Sequence, residues 1–444
     1  MAKPIGGTTT NAKFYSFNHS RQPVPTALAA FLFVPNLDAS AKRQNPYKIY
    51  SPSMSLSLYI HVPFCASRCS YCDFYSTTSP ASMRERYVRA VCEEIRMHRN
   101  DFPDAALRTI YFGGGTPSQL QLDELAIILQ TIRRAYTLED EMEVTLEANP
   151  DDVYPGWGRQ LLALGINRVS LGVQSLDDAY LRLINRRHSA AQAQEVVRQL
   201  HSEGVPHNSI DLIYALPGQS FDHWVQTLET ALRLPIDHLS AYQLTYEPDT
   251  LITRQMQAAT IPPSPDEEVV RQMYLHLVER TAACGMPQYE ISNFSRPACH
   301  SRHNSVYWSG GPYIGVGPGA HSYDGRNVRR SNSPSLSAYI ENLAPTNPST
   351  PIQPPPHQTE HLDDEALLLE YLFLNFRRVE GINLTTLQLR WPANIGPTFR
   401  HRLQQYLTAG HLYQPHPETY ALTPQGMLIS DYIISELAAA LASS

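Results

Sequence analysis

The chain is predicted to be an α/β protein, an incomplete (β/α)6 barrel followed by a small, mostly helical winged-helix-like C-terminal domain. Three observations predict it. From Leu56 onward short β-rich runs alternate with longer helical stretches. Gly165 and Gly204 stand where a helix ends just before the next strand, the place for a glycine C-cap. Polar motifs gather where the strand-like runs stop. Alternating strands and helices imply a parallel sheet with right-handed crossovers, and a barrel of that kind carries its chemistry at the C-terminal ends of its strands.

Taken in order, residues 1–53 hold Lys3, Lys13, Arg21, Lys42, Arg43 and Lys48 against the single acid Asp38. Such a stretch reads as a disordered leader or as a mis-assigned start ahead of Met54. Organellar import is the minor alternative, because Pro23, Pro25, Pro35, Pro46 and Pro52 break any amphipathic helix. The barrel is expected over 54–341. Its strands are expected at Leu56–Val62, Thr109–Gly113, Met142–Ala148, Arg168–Val173, Ser209–Tyr214 and His238–Leu244. Helices are expected at Met83–Arg99, Leu122–Ala135, Ala190–Glu203 and Phe221–Leu234. The stretch 342–361 is dense in proline and reads as a linker. In 362–444, helical stretches at Asp363–Asn375, Leu384–Leu389 and Thr398–Ala409, a β-like turn at Tyr413–Leu422 and a terminal helix from Gly426 suggest the winged helix.

Composition sets limits. Hydrophobic residues make up 42% of the 444-residue chain and charged residues 17%, the balance of a folded globular protein rather than a disordered one. A net charge of −7 offers no broad basic surface, and acids outnumber bases in the C-terminal domain, so nucleic acid is not an expected partner. The longest apolar run near the start, Ala27 to Pro35, is too short to span a bilayer. Six cysteines, three of them clustered, fit a reducing compartment, and the cytoplasm is the expected location.

The clustered cysteines are Cys65, Cys69 and Cys72, in a C-x3-C-x2-C loop directly after the first strand. Soft thiolates so spaced converge on an iron–sulfur cluster or on zinc. A structural zinc needs a fourth protein ligand, and the nearest donors are Asp73 and His61. Three cysteines alone better suit a [4Fe–4S] cluster with one iron left open.

This loop, with Tyr71 before its last cysteine, resembles the signature of the radical S-adenosylmethionine (SAM) family. The wider run Tyr59-Ile-His-Val-Pro-Phe-Cys65 is similar to the oxygen-independent coproporphyrinogen III oxidases and their relatives. The resemblance implies that the open iron chelates SAM and that an electron from the cluster cleaves it to a 5′-deoxyadenosyl radical, with an electron donor such as flavodoxin. It also implies SAM contacts. Gly114, Gly115 and Thr116 lie in Gly-Gly-Gly-Thr-Pro117, a strand end whose bare backbone lets a ligand approach. Glu147 and Gln174 close two strands, Arg186 follows one helix later, and Asp211 is an acid inside an apolar strand. Tyr59 and Tyr71 would lie near the cluster. One departure is Ala215, where the family usually carries glycine.

Phe74 separates two branches. The oxidases carry a further cysteine at that place, whereas phenylalanine there resembles the haem-chaperone branch. That branch implies haem as a ligand, and His303-Asn304-x-x-Tyr307-Trp308 is similar to its haem-linked motif. His303 could ligate iron while Tyr307 and Trp308 pack the macrocycle, or all could simply pack the barrel mouth. Cys299 is the runner-up thiolate. The expected function is therefore a haem chaperone binding a cluster, SAM and haem and handing haem to clients such as respiratory membrane enzymes. The alternatives are a coproporphyrinogen III dehydrogenase and another radical SAM oxidase or methyltransferase. A homodimer is left open.

Overall fold

The first strand, β1 (Ser55–Val62), alternates Leu56, Leu58, Ile60 and Val62 with Ser57, Tyr59 and His61. That alternation sets the pattern of the whole barrel, because successive side chains of a strand point to opposite faces. A computed structural model describes residues 55–442 apart from 80, 348, 393 and 394. Residues 1–53, expected to be a leader or a mis-assigned start, and Met54 lie outside the described residues.

Five further strands follow with their helices. In chain order these are α1 (Ala81–Met97), β2 (Ala106–Gly114), α2 (Leu122–Ala135), β3 (Leu138–Ala148), α3 (Trp157–Leu164) and β4 (Arg168–Gln174). Then come α4 (Asp178–Leu183), α5 (Ala190–Ser202), β5 (His207–Tyr214), α6 (Phe221–Leu232) and β6 (His238–Gln243). β1 to β6 pair in sequence order, all parallel. The outward positions of these strands, among them Leu58, Phe112, Leu146, Leu171, Leu212 and Leu239, join the apolar faces of the helices in one buried core. Gly165 ends α3 at φ +89°, so that its amide reaches back to Leu162 and the chain turns into β4.

Beyond β6 the chain makes α7 (Leu251–Gln257) and α8 (Glu267–Ala283), then the short antiparallel strands β7 (Gln288–Glu290) and β8 (Asn293–Ser295). After α9 (Arg302–Ser309), strand β9 (Tyr313–Val316) returns to lie parallel to β1 on the opposite side. β10 (His321–Tyr323), β11 (Val328–Asn332), α10 (Leu336–Leu343) and β12 (His357–His361) complete a sheet of 12 strands with β12 and β7 at its two ends. β12 occupies the last part of the proline-rich 342–361 stretch and pairs antiparallel with β11. Its prolines stop at Pro356, so every residue of the strand has an N–H to donate.

The remaining elements are α11 (Asp364–Phe376), β13 (Ile382–Asn383), α12 (Leu384–Arg390), α13 (Pro397–Thr408), β14 (Leu412–Tyr413), β15 (Thr419–Leu422), α14 (Pro424–Leu428) and α15 (Ser430–Ala442). Helix, strand, two helices and two strands, with β13, β15 and β14 side by side, are the order of a winged helix. This unit docks on the barrel through a buried ion pair, Arg329 of β11 with Glu370 of α11, and through a bond from the Ile291 amide to the Arg377 carbonyl.

Candidate functional site

The inward positions of the barrel strands are polar, which is unusual for side chains that are buried or half-buried. Thr145 and Glu147 come from β3, Arg168 and Ser170 from β4, Ser209 and Asp211 from β5, and His238, Ser240 and Tyr242 from β6; Tyr59 and Tyr111 come from β1 and β2. All line one cavity of about 180 Å3. Each set is spaced by two residues along its strand, so the interior is a ladder of hydroxyls, acids and bases enclosed by an apolar shell.

At the C-terminal end of the strands lies the cysteine loop. It is pinned on several sides. Phe64 and Thr77 form a parallel bridge, the Cys65 amide donates to the Thr77 carbonyl at 2.9 Å, and the Ile252 amide of α7 donates to the Ser70 carbonyl at 2.9 Å. The Gly115 amide donates to Val62 at 2.8 Å, and a Cβ on Gly115 would stand 2.9 Å from backbone atoms of Pro63 and Phe64. Only glycine lets the two segments come this close. Below them His61, wedged between Tyr59 and the Tyr75 carbonyl, lies where any side chain at Gly114 would go.

The three sulfurs all face the cavity. Thr116 Oγ1 approaches Cys65 Sγ at 3.5 Å and Arg186 Nη1 approaches Cys69 Sγ at 3.2 Å. Burial pushes the Cys65 thiol up and the Cys72 thiol to about 11. Metal coordination removes such protons, since a ligating thiol is bound as thiolate. Arg186 also donates to Asn149 Oδ1 and to the Gly172 carbonyl, each at 2.5 Å, which fixes its guanidinium over the strand ends.

Glu147 accepts from the Tyr111 hydroxyl at 2.8 Å and from the Gly114 amide at 3.1 Å. Burial pushes its carboxyl up to about 7, and burial likewise pushes Asp211 up to about 6 despite hydroxyl bonds from Ser240 and Ser170. Glu147 thus stands near its protonation midpoint at neutral pH, ready to ionise beside a cation, while Asp211 is already mostly ionised there. Gln174 takes φ +67° at a bulge where β4 slips against β5, and Ala215 takes φ +59° after β5. Both strand ends are therefore held in left-handed backbone, a conformation glycine adopts with less strain.

Every candidate residue of the sequence analysis except Trp308 and the runner-up thiolate Cys299 lines this cavity: Cys65, Cys69, Cys72, Tyr59, Tyr71, Gly114, Gly115, Thr116, Glu147, Gln174, Arg186, Asp211, His303, Asn304 and Tyr307. Phe74 lines it as well. Trp308 is buried outside it. The motif at 303–308 forms α9, whose first amides, those of Arg302 and His303, donate to the buried carboxylate of Glu143 at 3.1 and 2.9 Å. His303 is fully buried. Its Nδ1 meets Thr109 Oγ1 at 2.7 Å, its Nε2 meets the Tyr307 hydroxyl at 2.8 Å, and its ring stacks on Tyr111. Burial lowers its pKa to about 3, so the imidazole is neutral.

Sequence reasoning did not single out Tyr111, Thr145, Arg168, Ser170, His238 or Ser240. The available signal was a polar residue at every second position inside runs that otherwise read as apolar.

Residues 59–231 match the radical SAM superfamily. A heme chaperone HemW of Mycobacterium tuberculosis is 34% identical over 394 residues, 87% of this chain and 95% of the relative. That of Bacillus subtilis is 32% identical over 380 residues, 85% of this chain and 97% of the relative. The chain belongs to the HemW family of radical SAM proteins. A further relative, the mouse radical S-adenosyl methionine domain-containing protein 1, mitochondrial, is 34% identical over 90% of this chain and 86% of its own. Among solved structures, the Escherichia coli coproporphyrinogen III oxidase HemN superposes with a TM-score of 0.73 over 88% of this chain and 91% of its own. At 20% identity that likeness shows the shared barrel and C-terminal region.

Membership of the superfamily implies a [4Fe–4S] cluster and SAM, and the HemW-family cavity fits them. Its donor set is three cysteine thiols without a fourth among its lining residues. Arg186 Nε, Arg168 Nη2 and Thr145 Oγ1 are buried in its wall without a hydrogen-bond partner, as befits a polar ligand in the barrel.

Proposed function

We propose that the protein is a haem chaperone: it binds a [4Fe–4S] cluster, SAM and haem, and delivers haem to haem-requiring client proteins. The observation that carries this reading is Phe74. It lines the cavity beside the cysteine loop at the position where the resemblance places a further cysteine in the oxidases. A phenyl ring neither ligates metal nor yields a thiol hydrogen. Similarity to chaperones named HemW over nearly their whole length supports the same reading.

When bound, the cluster supplies an open iron for SAM and an electron. In this reading Cys65, Cys69 and Cys72 hold it, and the Arg186 guanidinium beside Cys69 balances thiolate charge. Gly114, Gly115 and Thr116 form the stretch of wall that would face SAM. Glu147 ionises beside its cationic groups, releasing its proton as SAM enters, while Asp211, Gln174, Tyr59 and Tyr71 complete the wall.

Haem would engage Asn304 and Tyr307 at α9, with Trp308 supporting the helix from behind. With the cluster and SAM in it, a cavity of about 180 Å3 leaves no space for a porphyrin. Haem would therefore lie outside the cavity, against α9, whose first turn is held by Glu143 of β3. His303 would be the residue to ligate its iron, provided that the Tyr307 hydroxyl gives up its bond to Nε2.

The test is to reconstitute the protein anaerobically and offer it haem and, separately, coproporphyrinogen III with SAM and reductant. A Soret shift saturating at about one haem per chain, with no protoporphyrinogen IX formed, is expected. Sustained decarboxylation would replace the chaperone by a dehydrogenase.

A further inference from the structure

Outside the cavity, at the opposite ends of the barrel strands, three side chains from different segments converge. His207 opens β5, Asp237 stands just before β6, and Cys299 lies in the turn between β8 and α9. A ring nitrogen of His207, a carboxylate oxygen of Asp237 and the sulfur of Cys299 all lie within 4.8 Å of one another. His207 Nδ1 meets Asp237 Oδ2 at 2.6 Å. The other oxygen, Asp237 Oδ1, is buried and has no hydrogen-bond partner.

The backbone under these residues is fixed. The Asp237 amide donates to Asn208, the Arg296 amide to the Asp237 carbonyl, and the Cys299 amide to Arg296. Arg168 Nη1 holds the Cys299 carbonyl at 3.1 Å. None of the three side chains lines the cluster cavity.

One imidazole, one carboxylate and one thiol are a borderline-soft set, which suits zinc and its neighbours and leaves a fourth position for water. One thiol is too few for a second iron–sulfur cluster. Bond lengths of 2.0–2.3 Å place ligand atoms about 3.5 Å apart around a tetrahedral ion, so a span of 4.8 Å closes with small side-chain rotations. The orphaned Asp237 oxygen then gains the partner it lacks.

We propose that His207, Asp237 and Cys299 form a mononuclear site for a zinc-class divalent cation at the base of the barrel. Binding displaces the thiol proton, and thiolate plus carboxylate offset the charge of the ion. Three segments are tied together there. The one bearing Cys299 runs directly into α9, so an ion at this site braces the helix that carries His303.

The experiment loads the full-length, cluster-containing protein anaerobically with Co2+ and, in parallel, Zn2+. Expected is one cobalt per chain in addition to the cluster iron, with a thiolate-to-cobalt charge-transfer band, competed by zinc. Cys299→Ser is expected to abolish the band. His207→Ala and Asp237→Asn are expected to weaken binding by about tenfold or more. Unchanged cluster absorption and thermal unfolding show that each variant is folded. Cobalt bound equally by wild type and Cys299→Ser, or no cobalt bound beyond adventitious levels, overturns the proposal.

Discussion

At the scale of single residues the protein works by burying polar groups and choosing their neighbours. Glu147 illustrates it: burial pushes its carboxyl to about 7, so at pH 6 it is mostly neutral and at pH 8 mostly ionised. A folded-state pKa above the unfolded value means that its burial costs stability progressively as pH rises from the ordinary carboxylate range through 7. SAM, as a cation, favours the ionised form. Its affinity is therefore expected to rise about tenfold between pH 6 and 8, as one linked proton dictates, and to lose that slope in Glu147→Gln. Calorimetric titration at several pH values checks this. Replacing Cys65, Cys69 or Cys72 singly by Ala is expected to remove the cluster's iron, sulfide and absorption, whereas Cys92→Ala retains them, since Cys92 is buried against Thr131 in the apolar core. Haem titration separates the two roles at α9: His303→Ala weakens binding, and Tyr307→Phe, which frees Nε2 of the imidazole, does not.

At the scale of elements, α9 is the piece that sequence patterning missed. Arg302-His-Asn-Ser-Val-Tyr-Trp-Ser309 has no apolar stripe, so neither helical nor strand periodicity stands out. What holds it is a cap. Ser301 accepts from the Asn304 amide at 3.2 Å, and buried Glu143 takes the amides of Arg302 and His303, satisfying donors that a helix start otherwise leaves bare. Glu143→Ala is expected to cost about 2–4 kcal/mol, because it strips two buried amides and the Arg168 side chain of their partner. Hydrogen exchange should show faster opening of α9 while amides of β1 to β5 keep their protection. Unchanged exchange in α9 would mean that packing, not the carboxylate, anchors it. The barrel helices were legible for the opposite reason: α2 and α5 present clear apolar faces to the sheet.

For the whole molecule, the alternation of strands and helices was readable because the outward strand positions form near-continuous apolar runs against the helices. The same runs concealed the interior: Arg168 and Ser170, or His238 and Ser240, look like lapses in a strand until the barrel closes and makes them one surface. Nor did the sequence display the antiparallel extension from β9 to β12, whose pairing partners are set by tertiary packing rather than local pattern. That extension carries Arg329, whose buried pairing with Glu370 joins the barrel to the C-terminal domain. Glu370→Ala leaves a buried guanidinium unpaired and is expected to cost about 3–5 kcal/mol, read as a lower unfolding midpoint in denaturant.

A haem chaperone must pass on the haem that it binds. That hand-over is tested most directly by mixing the haem-loaded, cluster-containing protein anaerobically with a haem-free b-type cytochrome and following the acceptor's Soret band. Transfer faster than from free haem, and slowed in His303→Ala, is the predicted result. Haem that stays bound, or reaches the acceptor no faster than free haem does, would contradict it.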